Sequence, residues 1–230
     1  MKRLIKLNLI TYLAFLLLTI AGIVYGNILL SKYSGLRVWT GFNILMMLAG
    51  IPFLFMFGKA GIPEFWQSGI TNRKRIGFPF LLGILFGLLD VIVFRIILHP
   101  EPYKELPPFT QPFPYSALLY FSGAFEIEVF YRLIPLTIIC LLGKWYKNGR
   151  YFIHFFFTGA VITSLREPLE QLPVGAFWLV AYSFTSGFLM NLIQALQFRK
   201  NGFIGSLSLR LGHYSLWHIM LGLYIQYFEL

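Results

Sequence analysis

Charge is what this chain has least of. Asp, Glu, Lys and Arg make up 12% of its 230 residues, and only nine of those are acidic. That is about half the charged share of a soluble domain. With 57% apolar residues, gathered in long runs, it excludes an ordinary soluble globule and implies a polytopic membrane protein. Cysteine is nearly absent too. Cys140 stands alone, so no intrachain disulfide can form, and its setting "TIICLL" suggests an inert buried thiol rather than a nucleophile. There is no basic tail and no nucleic-acid-binding motif. The net charge of +10 therefore does not indicate a nucleic-acid partner. No internal repeat is visible, which weakens the case for a small transporter. No A-x-A site follows "MKRLIKLNLITYLAFLLLTIAGIVYG", so this stretch reads as a retained first span.

What is present is a series of seven apolar segments, near 8–30, 41–58, 77–98, 115–142, 151–165, 173–196 and 203–227. The fifth is short for a span of about 20 residues unless its helix continues into "LREPLEQ". With the N-terminus inside, twelve basic residues fall in inner segments. Four, Lys32, Arg37, Lys104 and Arg166, fall in outer ones. That bias predicts an all-α bundle of about seven spans, N-terminus in and C-terminus out, forming one membrane domain over residues 1–230. The loop "GKAGIPEFWQSGITNRKRIG" reads as an interfacial segment on the inner face, and "HPEPYKELPPFTQPFPY" as irregular. Gly83 and Gly87 form a weak G-x-x-x-G packing signal.

The fourth segment carries "SGAFEIEVFYRLIPL", with Glu126, Glu128 and Arg132 in its middle. Three charges at a bilayer centre cost roughly 8–10 kcal/mol, which some twenty apolar residues only just offset. The charged side must face protein or water. Glu128 and Arg132 are four apart, so they share a face and are expected to pair. Glu126 lies about 200° round the helix from Glu128 and should meet another span. Either these groups tie helices together, with Asp90, Arg95 or Arg210 as partners, or they mark a functional site.

"EIEVFYR" resembles the E-E-x-x-x-R motif of the CPBP family, the CAAX-protease and bacteriocin-processing (Abi) intramembrane endopeptidases. "FWQSGITNRKRIGFPFLLGILFGLL" and the stretch from "AVITSLREPLEQ" to "RLGHYSLWH" resemble the surrounding family regions, giving a family-like core over about 60–220. The resemblance implies that Glu128 activates water and that Arg132 supports it. His213 falls near the third motif, H-x-x-x-N/D, with Trp217 where the Asn or Asp belongs. Ile127 stands where the first Glu belongs, and Glu126 could take that place only with a local distortion of the helix. The second-motif region has no His but carries Glu167 and Glu170. Arg210 and His218 flank His213 as support candidates. His213 and His218 are about 140° apart on a helix and make a poor metal pair.

Two functions stay open. One is a divergent intramembrane peptidase acting on prenylated or leader-type peptides. Glu128 would be its base and His213 or Arg210 would stabilise the oxyanion. The other is a non-catalytic membrane protein of the same fold that binds a partner or peptide. No metal ligand set is assigned; zinc has weak support, from His213 alone. The expected partners are the bilayer and a membrane-associated peptide or protein, in the cytoplasmic (inner) membrane of a prokaryote.

Overall fold

The computed structural model describes residues 2–33 and 35–230, and among these there is helix and no strand. Three helices are long and apolar enough to cross a membrane: Arg3–Leu29, Arg73–Ile97 and Phe177–Glu229. That is the make-up of a membrane protein. The first rod, α1, is Lys2–Leu29. Next comes α2, a broken rod of three pieces, Gly41–Leu48, Ile51–Leu54 and Phe57–Ala60. The third rod, α3, is Arg73–Ile97. Residues 115–145 form α4, and Phe152–Glu170 forms α5. The last helical stretch divides at Gly202 into α6 (177–201) and α7 (203–229).

The division at Gly202 is a reversal. Asn191 and Arg210 are nineteen residues apart, which would separate them by about 28 Å on a straight helix. Yet Arg210 Nη2 donates to Asn191 Oδ1 at 3.1 Å, so α7 runs back along α6. Gly202 has φ 77°, a conformation open to glycine at little cost. A Cβ there would also lie 2.7 Å from the Pro63 carbonyl oxygen.

One element differs from the expectation from sequence, and another follows one of the alternatives left open there. The run 41–58 is not one helix, because Pro52 lacks the N–H that would continue it. The Tyr12 hydroxyl donates to the Met47 carbonyl at the break, at 2.6 Å. The fifth rod runs past residue 165 to Glu170, and its nineteen residues give it about 28 Å.

Aromatic side chains hold the centre. Tyr12, Phe57, Phe65, Phe125, Phe198 and Phe203 are fully buried together. Phe65 stacks on Phe203 at 5.1 Å, and Tyr12 meets Phe125 edge-on at 4.9 Å. Against this core, α3 packs unusually close to α7. A Cβ on Gly83 would run into the Leu209 carbonyl, and one on Gly87 would lie 2.9 Å from the His213 carbonyl. The G-x-x-x-G pair is therefore a working contact, and it sets Asp90 of α3 beside His213 of α7.

The loops sort by charge. At one end, Arg199 lies over Phe156 at 4.8 Å and Lys144 over Phe152 at 5.8 Å. The start of α1 is anchored there, with the Phe65 N–H donating to Asn8 Oδ1 at 3.0 Å. At the other end, Arg95 pairs with Glu229, which also accepts from the Tyr103 N–H at 2.7 Å.

Candidate functional site

The fourth rod widens at its charges. Between Glu128 and Ile134 it makes a π-helical turn, Val129–Leu133. Pro135 lies just beyond, where it removes an N–H and crowds the carbonyl one turn back, which opens the ladder. Glu128 ends the regular helix above this turn with no solvent exposure. Its carboxylate accepts from Gln194 Nε2 at 2.9 Å, Arg210 Nε at 3.2 Å and the Ser206 hydroxyl.

Arg210, also fully buried, is the hub. Its Nη1 and Nη2 form a two-point fork on Glu167, at 2.7 and 2.6 Å. Nη2 reaches Gln194 Oε1 at 3.0 Å as well as Asn191. Arg132 donates through Nη2 to Asn191 Oδ1, to the Asn191 carbonyl at 3.1 Å and to Gln194 Oε1 at 2.9 Å. Its Nε and Nη1 find no protein partner. Two carboxylates and two guanidiniums thus balance, with the amides of α6 as connectors.

The structure corrects several expectations. Glu128 and Arg132 do not pair directly; Gln194 links them, because Arg210 on the returning arm takes the carboxylate first. Arg95 is no part of the network and pairs with Glu229. Glu126 turns away from Glu128, as its helical position predicts, and so takes no part in the network as a catalytic candidate; half-buried, it accepts from Asn43 Nδ2 of α2 at 3.1 Å. Glu170 is exposed, and accepts from the Tyr131 hydroxyl at 2.6 Å and Arg166 Nε at 2.9 Å. The His218 Nδ1–H donates to the Phe109 carbonyl, and the ring stacks on Tyr120 at 4.3 Å. Sequence reasoning missed Asn191, Gln194 and Ser206. Their signal was there: Asn191 and Gln194 are three apart and Ser206 and Arg210 four apart, each pair on one helix face.

Beside the cluster lies a cavity of about 810 Å³. Its apolar wall includes Phe86, Phe94, Phe109, Trp39 and Trp217, and its polar wall Asp90, Glu167, Asn191, Ser183 and His213. Glu128, Arg132 and Arg210 are not among its lining residues. The Asp90 carboxylate accepts from the Tyr182 hydroxyl at 2.8 Å and lies 2.7 Å from His213 Nε2. His213 Nδ1 and Ser183 Oγ are buried with no protein partner. With Nε2–H aimed at the carboxylate, Nδ1 holds the free lone pair.

The geometry limits the chemistry. A base needs a lone pair open to the water it deprotonates. Each Glu128 oxygen is already engaged, in a site the cavity does not reach. Zinc does not fit either: among the described residues no three His, Cys, Asp or Glu side chains gather as a ligand set. No family model, curated protein or solved structure matches this chain. The chain is an all-helical protein with three helices long and apolar enough to cross a membrane, a buried charge cluster and a half-polar cavity beside it.

Proposed function

We propose that this chain is a seven-pass membrane protein, N-terminus inside and C-terminus outside, that holds an amphipathic peptide segment in its cavity without cutting it. One observation carries the non-catalytic reading: Glu128, the residue on which hydrolysis would depend, is fully buried, away from the cavity, with both oxygens held by protein donors. The cavity supports the binding reading. Aromatic walls suit apolar side chains, while His213 Nδ1 and Ser183 Oγ offer hydrogen bonds to a peptide backbone. The topology is supported by the bias of loop cations, twelve in the inner segments against four in the outer ones. Reporter fusions after Gly143–Arg150 and after Leu230 test it. A C-terminal reporter active only in the cytoplasm would remove one pass.

A second reading is a divergent intramembrane peptidase, resembling the CPBP family. It is favoured by Glu167 and His213 sharing one cavity wall. One experiment separates the two: cleavage of a lipidated peptide library beside thermal unfolding in detergent, for wild type and Glu128→Gln. The binding reading expects no cleavage by wild type and a large loss of stability in the variant. An active wild type with a stable, dead variant would overturn it.

A further inference from the structure

A second cavity, of about 570 Å³, opens at the basic end, between the first turn of α3 and the α6–α7 reversal. Three cations line it, Arg73, Lys74 and Lys200, and no carboxylate does. The other cations nearby are committed. Arg75 lies over Trp66 at 5.2 Å and donates to the Gln67 carbonyl at 2.7 Å, and Arg199 and Lys144 lie on phenylalanine rings. The one acid of the adjoining loop, Glu64, is buried and bonded to Asn8. Among the described residues the side chains of Arg73, Lys74 and Lys200 are exposed and form no ion pair. Behind them, Asn201 Nδ2 uses the Gln197 side-chain carbonyl, which leaves the Gln197 amide N–H free on the cavity wall. Three positive charges round one hollow repel each other until an anion enters, and the positive end of the α3 dipole adds to the field.

A free phosphate would explain the cations but not the wall that leaves the hollow. Phe78 lines the cavity and also begins an exposed stripe, continued by Leu81, Leu85, Leu88, Ile92 and Ile96. These positions recur every three or four residues, so they share one face of α3. From Phe78 to Ile96 the stripe is about 27 Å long, close to the hydrocarbon thickness of a bilayer. Leu81 is 61% exposed, Leu85 55% and Ile96 58%.

We propose that this hollow is a binding site for an anionic phospholipid. The headgroup phosphate sits among Arg73, Lys74 and Lys200, and the acyl chains lie along the Phe78–Ile96 stripe. Bound there, the lipid joins α3 to the reversal that returns α7 to the charge cluster.

The test is thermal unfolding of the full chain in a neutral detergent, with added dioleoyl phosphatidylglycerol, dioleoyl phosphatidylcholine or inorganic phosphate. Phosphatidylglycerol should raise the melting temperature, and the other two should not. The double variant Arg73→Gln/Lys200→Gln should need roughly thirtyfold more phosphatidylglycerol for the same shift, at about a fivefold loss per cation. Lys59→Gln/Lys147→Gln removes the same charge outside the cavity and should respond as wild type. An equal shift with inorganic phosphate would make this a free-phosphate site and overturn the lipid assignment. An equal shift with phosphatidylcholine, or an equal loss in the Lys59/Lys147 variant, would overturn the site.

Discussion

Arg210 and His213 are three residues apart on α7, and each faces a carboxylate from another rod. They live in different physical worlds. Arg210 sits in a cluster where both carboxylates and both amide carbonyls are used, and the large cavity touches that cluster at Glu167 and Asn191 without reaching Arg210. His213 and Asp90 stand on the wall of the large cavity, with a ring nitrogen and a neighbouring serine hydroxyl left unpaired. In a low-dielectric interior a satisfied polar network fixes how helices meet, while an unsatisfied one is costly until something binds. Arg210 thus ties three rods together, and on the proposed reading the unpaired atoms beside His213 are where a peptide binds.

The sharpest way to break this contrast is Arg210→Met. It strands Glu128 and Glu167 without their shared cation, and breaking a buried pair costs about 3–5 kcal/mol. Thermal unfolding in detergent should show the largest loss of any single substitution here. A melting temperature near wild type would mean that the cluster is not the tie between α4, α5 and α7.

Next in size is Gly83→Ala. Its methyl group would collide with the Leu209 carbonyl, a backbone atom that cannot swing away. The expected cost is about 1–3 kcal/mol. It should also push α3 off α7 and part Asp90 from His213, which distance measurement between spin labels on the two rods would detect.

Asp90→Asn keeps the shape of the cavity wall but weakens the bonds to Tyr182 and His213. A stability loss of about 1–2 kcal/mol is expected, that of a hydrogen bond to a charged group. Peptide uptake by the cavity should fall more than stability does. Equal loss in both would erase the distinction between the two pairs. Smallest is Arg166→Ala. Its partner Glu170 is half exposed, so the pair contributes about 0.5 kcal/mol or less. Unfolding of this variant should overlay wild type.

Much of the architecture was legible in the sequence. Apolar run length located all seven rods, and the scarcity of charge made Glu126, Glu128 and Arg132 conspicuous. Helical period correctly sent Glu126 away from Glu128. The partners were harder. The i, i+4 rule put Arg132 on Glu128, yet that rule describes an isolated helix, and in the bundle Arg210 lies nearer. Asn191 and Gln194 passed unnoticed because an uncharged amide costs little in a hydropathy reading, although here they bond to Glu128, Arg132 and Arg210.

The sequence alone determined that this chain is helical and apolar enough for a membrane, and it made the charges of the fourth rod stand out within an apolar run. Those properties depend on composition and on spacing within a single helix, where neighbours in the chain are neighbours in space. Only the tertiary structure decided that Glu128 is closed off and that Asp90 meets His213 across a cavity. Both outcomes turn on Gly202 and on the Gly83–Leu209 contact. A reversal and a close helix crossing bring together residues tens of positions apart, and no local period encodes which of them will meet.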